Sequence, residues 1–134
     1  MAQNTETWHD QFAGLIPKED YSMHLEQGER QGLRILLDGK THQITLDFGN
    51  VQGVNIVDEG VQLNGPIITN HKQLQEANFG STIYLVENGT YEAYIKNHLS
   101  PELYNLFTLR QYCVVTCNYV VEIVTSFSPE INIK

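Results

Sequence analysis

The segment YCVVTCNYVVEIVT, residues 112–125, limits the folds open to this chain more than any other segment does. Val, Ile and Thr dominate it, and these β-branched side chains favour extended backbone over helix. Asn118 tolerates left-handed backbone geometry, so Cys117-Asn118 is a plausible two-residue turn. The segment therefore predicts a β-hairpin in which Cys113 faces Glu122 and Cys117 lies at the exposed tip.

Both faces of the predicted hairpin are apolar, apart from Glu122. Strands that are apolar on both sides lie in the middle of a sheet or are covered on both faces. We therefore expect the hairpin at the centre of a sheet, with helices over one face. The apolar residues are Tyr112, Val114, Val121 and Ile123 on one face, and Leu109, Cys113, Val115, Val120 and Val124 on the other.

Glu122 is the acidic exception within these strands. Burying a carboxylate costs free energy unless hydrogen bonds or an opposite charge compensate for it. Two interpretations follow from its position. Either Arg110 or a tyrosine hydroxyl acts as its partner, or Glu122 lines a pocket.

Cys113 and Cys117 are the only two cysteines of the chain. Residues four apart in an extended chain are separated by ~13 Å, whereas a disulfide requires Cα atoms within about 7 Å. The sequence has no second Cys or His pair at zinc-finger spacing, no nucleophile elbow and no phosphate loop. We therefore expect structural cysteines, no metal, no cofactor and no enzymatic activity.

Residues 32–63 alternate apolar and polar side chains, which predicts three strands of a meander. Turns are expected at Asp38-Gly39 and at Gly49-Asn50, and Gly53 is a candidate β-bulge in the third strand. A first loop over residues 38–41 puts the apolar residues of the two flanking strands on one face. That face holds Leu33, Ile35, Leu37, Ile44, Leu46 and Phe48.

Helical signals occur in three places. At the N-terminus, a Thr5 cap and the spacing of Trp8, Phe12 and Leu15 predict a short amphipathic helix. A second helix is predicted from Thr90, after a long connection over residues 60–80 and a strand over 82–86. Ser at position 100 and Pro at 101 predict a third, short helix through PELYNLF.

The order of these elements indicates the fold class. Strands followed by helices and then by closing strands are typical of an α+β protein. We predict that residues 1–134 form a single α+β domain. Its mainly antiparallel sheet would combine the N-terminal meander with the central C-terminal hairpin, and the helices would pack on that sheet.

The charge of the chain restricts its partners. It has 16 acidic and 8 basic side chains, and its formal charge is -8. This field repels nucleic-acid phosphate and anionic lipid, so neither nucleic acid nor membrane is an expected partner. The sequence shows no signal-peptide pattern and no run near the ~20 apolar residues of a membrane span. Together with the low cysteine content, this predicts a cytoplasmic location.

Acidic residues are frequent in the first 60 residues. An acidic surface suits a basic protein partner, because complementary charge steers association and fixes orientation. The candidate partner-binding residues are Glu26, Glu29, Asp58 and Glu59.

The C-terminal part of the chain resembles a known group of proteins. The stretches IYLVENGTYEAYIKN and LRQYCVVTCNYVVEIVTSFSPEI are similar to a loosely defined group of small bacterial proteins, over about residues 82–132. In that group a strand ending in Glu-Asn leads into a Tyr-bearing helix, and a closing hairpin precedes a Ser-x-x-Pro-Glu tail. The group is associated with immunity to contact-dependent or polymorphic toxins. The resemblance implies an immunity protein that covers its cognate toxin sterically and electrostatically. These motifs mark a fold, so the resemblance assigns no functional residue.

Two other functions remain open from the sequence. A small-ligand-binding or enzymatic domain would have a pocket between the helices of residues 90–107 and the sheet. Its walls would be Tyr91, Tyr94, Tyr112 and Glu122, because Tyr offers an apolar body with a polar tip. A subunit of a homo-oligomer would instead use a sheet edge or the N-terminal helix.

Overall fold

The computed structural model describes residues 7–10, 12, 14–58, 82–100, 102, 108–116 and 119–134. This part of the chain contains nine strands and a nine-residue helix. The strands are β1 (Thr7–His9), β2 (Ser22–Gly28), β3 (Gly32–Asp38), β4 (Gln43–Gly49), β5 (Gly53–Asp58), β6 (Ile83–Glu87), β7 (Arg110–Val115), β8 (Tyr119–Thr125) and β9 (Glu130–Ile133). The helix, α1, is Thr90–His98.

The strands form two antiparallel sheets. The five-stranded sheet has the order β1-β6-β7-β8-β5, and the four-stranded sheet has the order β2-β3-β4-β9. One hydrophobic core contains buried side chains from both sheets, and α1 contacts β7 and β8. The prediction of a mainly antiparallel α+β fold with helix packed on the sheet is thus confirmed, but the prediction of one sheet that combines the meander with the C-terminal hairpin is wrong, because they lie in separate sheets. The core residues are Phe12, Tyr21, Met23, Leu33, Ile35, Leu37, Ile44, Leu46, Phe48, Ile83, Tyr112, Val114, Val121 and Ile123.

The C-terminal hairpin occupies the predicted position. Strand β7 is the middle strand of the five-stranded sheet, and β8 lies beside it. Cys113 pairs with Glu122, as the sequence predicts. The Thr116 amide donates to the Tyr119 carbonyl at 3.0 Å, which closes the hairpin. Cys117 and Asn118 themselves lie outside the described residues.

The N-terminal meander is correct in part. Strands β3 and β4 pair with Leu37 opposite Ile44, so the predicted apolar face is confirmed. Asp38 pairs with Gln43, so the loop between these strands spans residues 39–42 and not 38–41. Strand β2 was not predicted from the sequence. The meander in the structure consists of β2, β3 and β4.

The third predicted strand of the meander belongs to the other sheet. Strand β5 pairs with β8, and β9 takes the position beside β4. Strand β5 thus covers an edge of β8. Strand β8 is buried on both faces, and its edge would otherwise expose unpaired backbone groups. Gly53 pairs in register with Val124 and gives room to α1: a Cβ there would lie 2.6 Å from the Tyr91 hydroxyl.

The predicted N-terminal helix is wrong where the structure describes it. Residues 7–9 form β1, which pairs with the edge of β6 and sets Trp8 opposite Val86. The Trp8 ring lies 5.6 Å from that of Tyr84. Leu15 is 56% exposed, whereas a helical apolar stripe would have buried it beside Phe12. Pairing with an open sheet edge outweighs the helical spacing of three apolar residues.

The remaining helices have different outcomes. The helix predicted from Thr90 is confirmed as α1. The helix predicted after Ser100 and the connection over residues 60–80 lie outside the described residues, apart from Glu102. Within the described ranges, no helix has the length and apolarity needed to cross a membrane.

Candidate functional site

A buried carboxylate lies between α1 and the five-stranded sheet. Glu122 is 4% exposed. The Asn55 side-chain amide donates to its Oε1 at 3.0 Å, and the Gln111 amide donates to its Oε2 at 2.9 Å. Both carboxylate oxygens therefore accept a hydrogen bond from a carboxamide, which offsets the cost of burying the acid.

The sheet register brings these groups together. Asn55 pairs with Glu122 across β5 and β8, and Gln111 lies diagonally across β7 and β8. The Gln111 Oε1 also accepts the Glu92 backbone amide at 2.9 Å, in the first turn of α1. The first turn of a helix leaves amides without helical acceptors, so Gln111 joins the helix to the carboxylate.

Tyr91 shares this environment. Burial raises the pKa of the Tyr91 phenol, and the nearby charge of Glu122 raises it further, followed by that of Tyr94. Tyr91 therefore stays neutral at physiological pH. Arg110, the other partner predicted for Glu122, is exposed and pairs with Thr125 on the opposite face of the sheet.

The four residues of the predicted pocket do not line one cavity. Tyr112 is fully buried in the core between the sheets, on the face of β7 opposite to Gln111 and Cys113. Tyr94 is 56% exposed. Its ring stacks on Tyr91 at 6.3 Å and contacts His98 at 4.4 Å. The structure thus brings Tyr91 and Glu122 together, leaves Tyr94 at the surface and separates Tyr112 from all three.

The four predicted partner-binding acids also separate. Glu26 lies in β2, and Glu29 lies in the turn that follows it, so both belong to one end of the four-stranded sheet. Asp58 ends β5 in the other sheet, and its side chain lies outside the described part. Glu59 is outside the described residues as well.

The outer face of the four-stranded sheet, here called the open face, is a three-row polar surface. Nine of its twelve residues are exposed, and Leu36, Thr45 and Asp47 are half-buried. The alternation along each strand directs the neighbouring apolar side chains into the core. Its rows are Ser22, Asp38, Gln43 and Lys134; His24, Leu36, Thr45 and Asn132; and Glu26, Arg34, Asp47 and Glu130.

Charge is concentrated in the third row of the open face. Arg34 lies opposite Glu26 on one side and opposite Asp47 on the other, with a 3.5 Å ion pair to Asp47. Asp47 is in turn opposite Glu130. The row thus contains three carboxylates and one guanidinium, which pairs with Asp47. Glu26 was predicted from the sequence, whereas Asp47 and Glu130 were not, although the alternation of both with apolar residues was the available signal.

The open face also contains a depression of about 300 Å³. Leu36 lies in it, on the central row, and the polar residues around Leu36 include His24, Asp38, Thr45 and Lys134. An apolar side chain with a polar border is the usual composition of the centre of a protein interface.

A separate acidic clamp holds the loop between β3 and β4. The Glu19 carboxylate accepts the Thr41 backbone amide at 2.8 Å and contacts the His42 ring. The Thr41 hydrogen bond, followed by that of His42, lowers the pKa of Glu19 to about 2. A Cβ on Gly39 would lie 2.7 Å from the Glu19 carboxylate, so the clamp requires glycine at that position.

The described residues contain no group of three or more His, Cys, Asp or Glu side chains that could hold a metal ion. No protein-family model, curated protein or solved structure matches the chain.

Proposed function

We propose that this chain binds a basic protein and, more specifically, that it is a bacterial immunity protein that neutralises a cognate toxin by covering its active site. The observation that carries the proposal is the open face, an uncovered sheet surface with four carboxylates and two cations. The formal charge of -8 on the whole chain supports steering of a basic partner toward it.

The toxin as partner comes from the resemblance of residues 82–132 to immunity-like proteins. Such a protein acts where the toxin acts, so the proposal places it in the bacterial cytoplasm. Neutralisation by occlusion requires an exposed, rigid surface and no catalytic group. A four-stranded sheet supported by the core provides a surface of this kind.

The alternative function, a ligand-binding or enzymatic pocket beneath the helix, has less support. Tyr112 faces the opposite side of the sheet, and the Glu122 carboxylate is already hydrogen-bonded by Asn55 and Gln111. A ligand would have to displace these bonds, and each lost bond to the carboxylate would cost about 1–3 kcal/mol.

Co-expression tests the proposal directly. The toxic domain of the neighbouring reading frame is induced in a bacterial host with this chain, without it, or with an unrelated immunity protein as control. We expect growth only with this chain. The purified pair should also form a stable complex in size-exclusion chromatography with light scattering. Equal toxicity with and without this chain, or a neighbouring frame that is not toxic, would remove the proposal.

A further inference from the structure

We infer that the open face is the surface that contacts the basic partner, with Leu36 as an apolar anchor and the row of Glu26, Asp47 and Glu130 as its complementary charge. The inference rests on the proposed function and specifies the site that performs it. It also replaces the acidic set predicted from sequence, which the fold divides between two sheets.

The size of the open face suits part of a protein interface. The seven-residue strands β2, β3 and β4 extend about 23 Å, β9 has only four residues, and four strands span about 14 Å from first to last, because residues rise ~3.3 Å and strands lie ~4.8 Å apart. The resulting area of at most roughly 320 Å² is less than half of the ~800 Å² that each partner buries in a standard interface. The contact must therefore extend beyond the sheet, and Glu29 in the adjoining turn adds charge of the same sign.

The charges of the open face select its occupant. The face contains the acids Glu26, Asp38, Asp47 and Glu130 against the cations Arg34 and Lys134. A nucleic acid or an anionic membrane would bring phosphate against these carboxylates, and a second copy would bring the same carboxylates together. A basic protein surface is the occupant that gains from this arrangement.

The two acids at the ends of the third row are available to cations of a partner. The Arg34–Asp47 pair leaves the other two acids of the row at its ends, where Glu26 makes a 3.9 Å contact to the His24 ring. Among the described residues, no cation lies within ion-pair distance of Glu130. Lysine or arginine side chains of a partner can therefore approach both ends of the row without displacing an existing ion pair.

The depression supplies an anchor. Leu36 lies on the row next to the acids, half-buried in a cavity of about 300 Å³. Binding energy in interfaces concentrates in central desolvated contacts, with polar residues around them. An apolar side chain of the partner that enters the depression would cover Leu36 and remove water from the neighbouring charge pairs.

The test measures the affinity of the purified toxin domain by isothermal titration calorimetry at 50 mM and 300 mM NaCl. The variants are Glu26→Gln/Glu130→Gln and Leu36→Ala. The control is Glu87→Gln/Glu102→Gln, which removes the same charge from two exposed positions off the open face. We expect Kd to rise at least about tenfold for both variants and to change within about twofold for the control. We also expect the salt dependence of Kd to fall in the double Glu variant.

The possible results distinguish a wrong binding surface from a wrong function. If the wild-type chain protects cells and all variants bind as tightly as the control, the open face is the wrong surface and the proposed function stands. If the wild-type chain neither protects nor binds, the function fails and the surface assignment fails with it. A dimer of this chain that Leu36→Ala dissociates in light scattering would show that a second copy occupies the face, which overturns the inference. Urea unfolding of each variant identifies losses due to misfolding.

Discussion

The region beneath α1 and the open face both contain carboxylates, but in opposite environments. Beneath α1, Glu122 is 4% exposed and both of its oxygens accept amide hydrogen bonds. On the open face, Glu26 keeps 45% of its side chain exposed and contacts the His24 ring at 3.9 Å. A buried carboxylate needs its partners to keep the fold intact, whereas an exposed carboxylate is solvated and available for another molecule. Burial, and not residue type, thus distinguishes the structural acid from the candidate binding acids.

The largest expected effect is at Glu122. Glu122→Ala removes the acceptor for two amides, of which that of Gln111 is buried and that of Asn55 half-buried, so we expect the free energy of unfolding in urea to fall by about 3 kcal/mol. Glu122→Gln should lose less. The Gln111 side-chain amide keeps its orientation, because its Oε1 accepts the Glu92 backbone amide. The Asn55 side-chain amide can rotate by half a turn. The oxygen of the new glutamine then accepts from Gln111, and its amide nitrogen donates to Asn55. Equal losses for the two variants would contradict this network.

The next effect is at the start of α1. A Cβ at Gly89 would lie 1.9 Å from the Gln111 Oε1, so Gly89→Ala must displace the side chain that joins the helix to Glu122. We expect a loss of about 2 kcal/mol in urea unfolding. Gly53→Ala is the comparison, because its Cβ would meet the ends of the Tyr91 and Ile95 side chains, which move more easily. A smaller loss for Gly89→Ala than for Gly53→Ala would contradict the role of Gln111.

The Glu19 clamp gives a pH-dependent effect. The pKa of Glu19 is about 2 in the folded state and 4.5 ordinarily, so on acidification the unfolded state binds the proton first. The stabilisation is complete above pH 4.5 and disappears as the pH falls toward 2. The urea midpoint of the wild type should therefore fall more between pH 5 and 2.5 than that of Glu19→Gln. Parallel curves would show that the clamp does not stabilise the fold.

The smallest effect on stability is expected on the open face. Glu26→Gln/Glu130→Gln should change the free energy of unfolding by no more than about 0.5 kcal/mol, because both carboxylates are exposed. The same variant should lose binding, as described above. A loss of stability as large as that of Glu122→Ala would contradict the proposed difference between the buried carboxylate and the exposed carboxylates.

The sequence predicted the structure best where the side chains of a strand indicate by themselves which of its faces are buried. Residues 110–125 were recognisable as a central hairpin, because their side chains are β-branched and apolar on both faces. The shared face of β3 and β4 was predictable for a similar reason, since a turn of fixed length sets the register between neighbouring strands. The paired position of Glu122 opposite Cys113 followed from the same local geometry.

Other features depended on contacts between distant parts of the chain. The pattern of residues 53–58 indicates a strand, but only the open edge of β8 decides which sheet that strand joins. The Trp8 region has helical spacing and nevertheless pairs with β6. Asn55 and Gln111 become partners of Glu122 only after β5 and β7 flank β8.

The sequence by itself determined the faces of the strands, the central hairpin, the helix from Thr90 and the acidic charge of the molecule. These features follow from side-chain size, branching and charge within short segments. The tertiary structure alone decided that Glu26, Asp47 and Glu130 share one row of the open face while Glu122 lies buried. The physical reason is that strand order depends on which edges are left to pair, and this competition involves the whole chain.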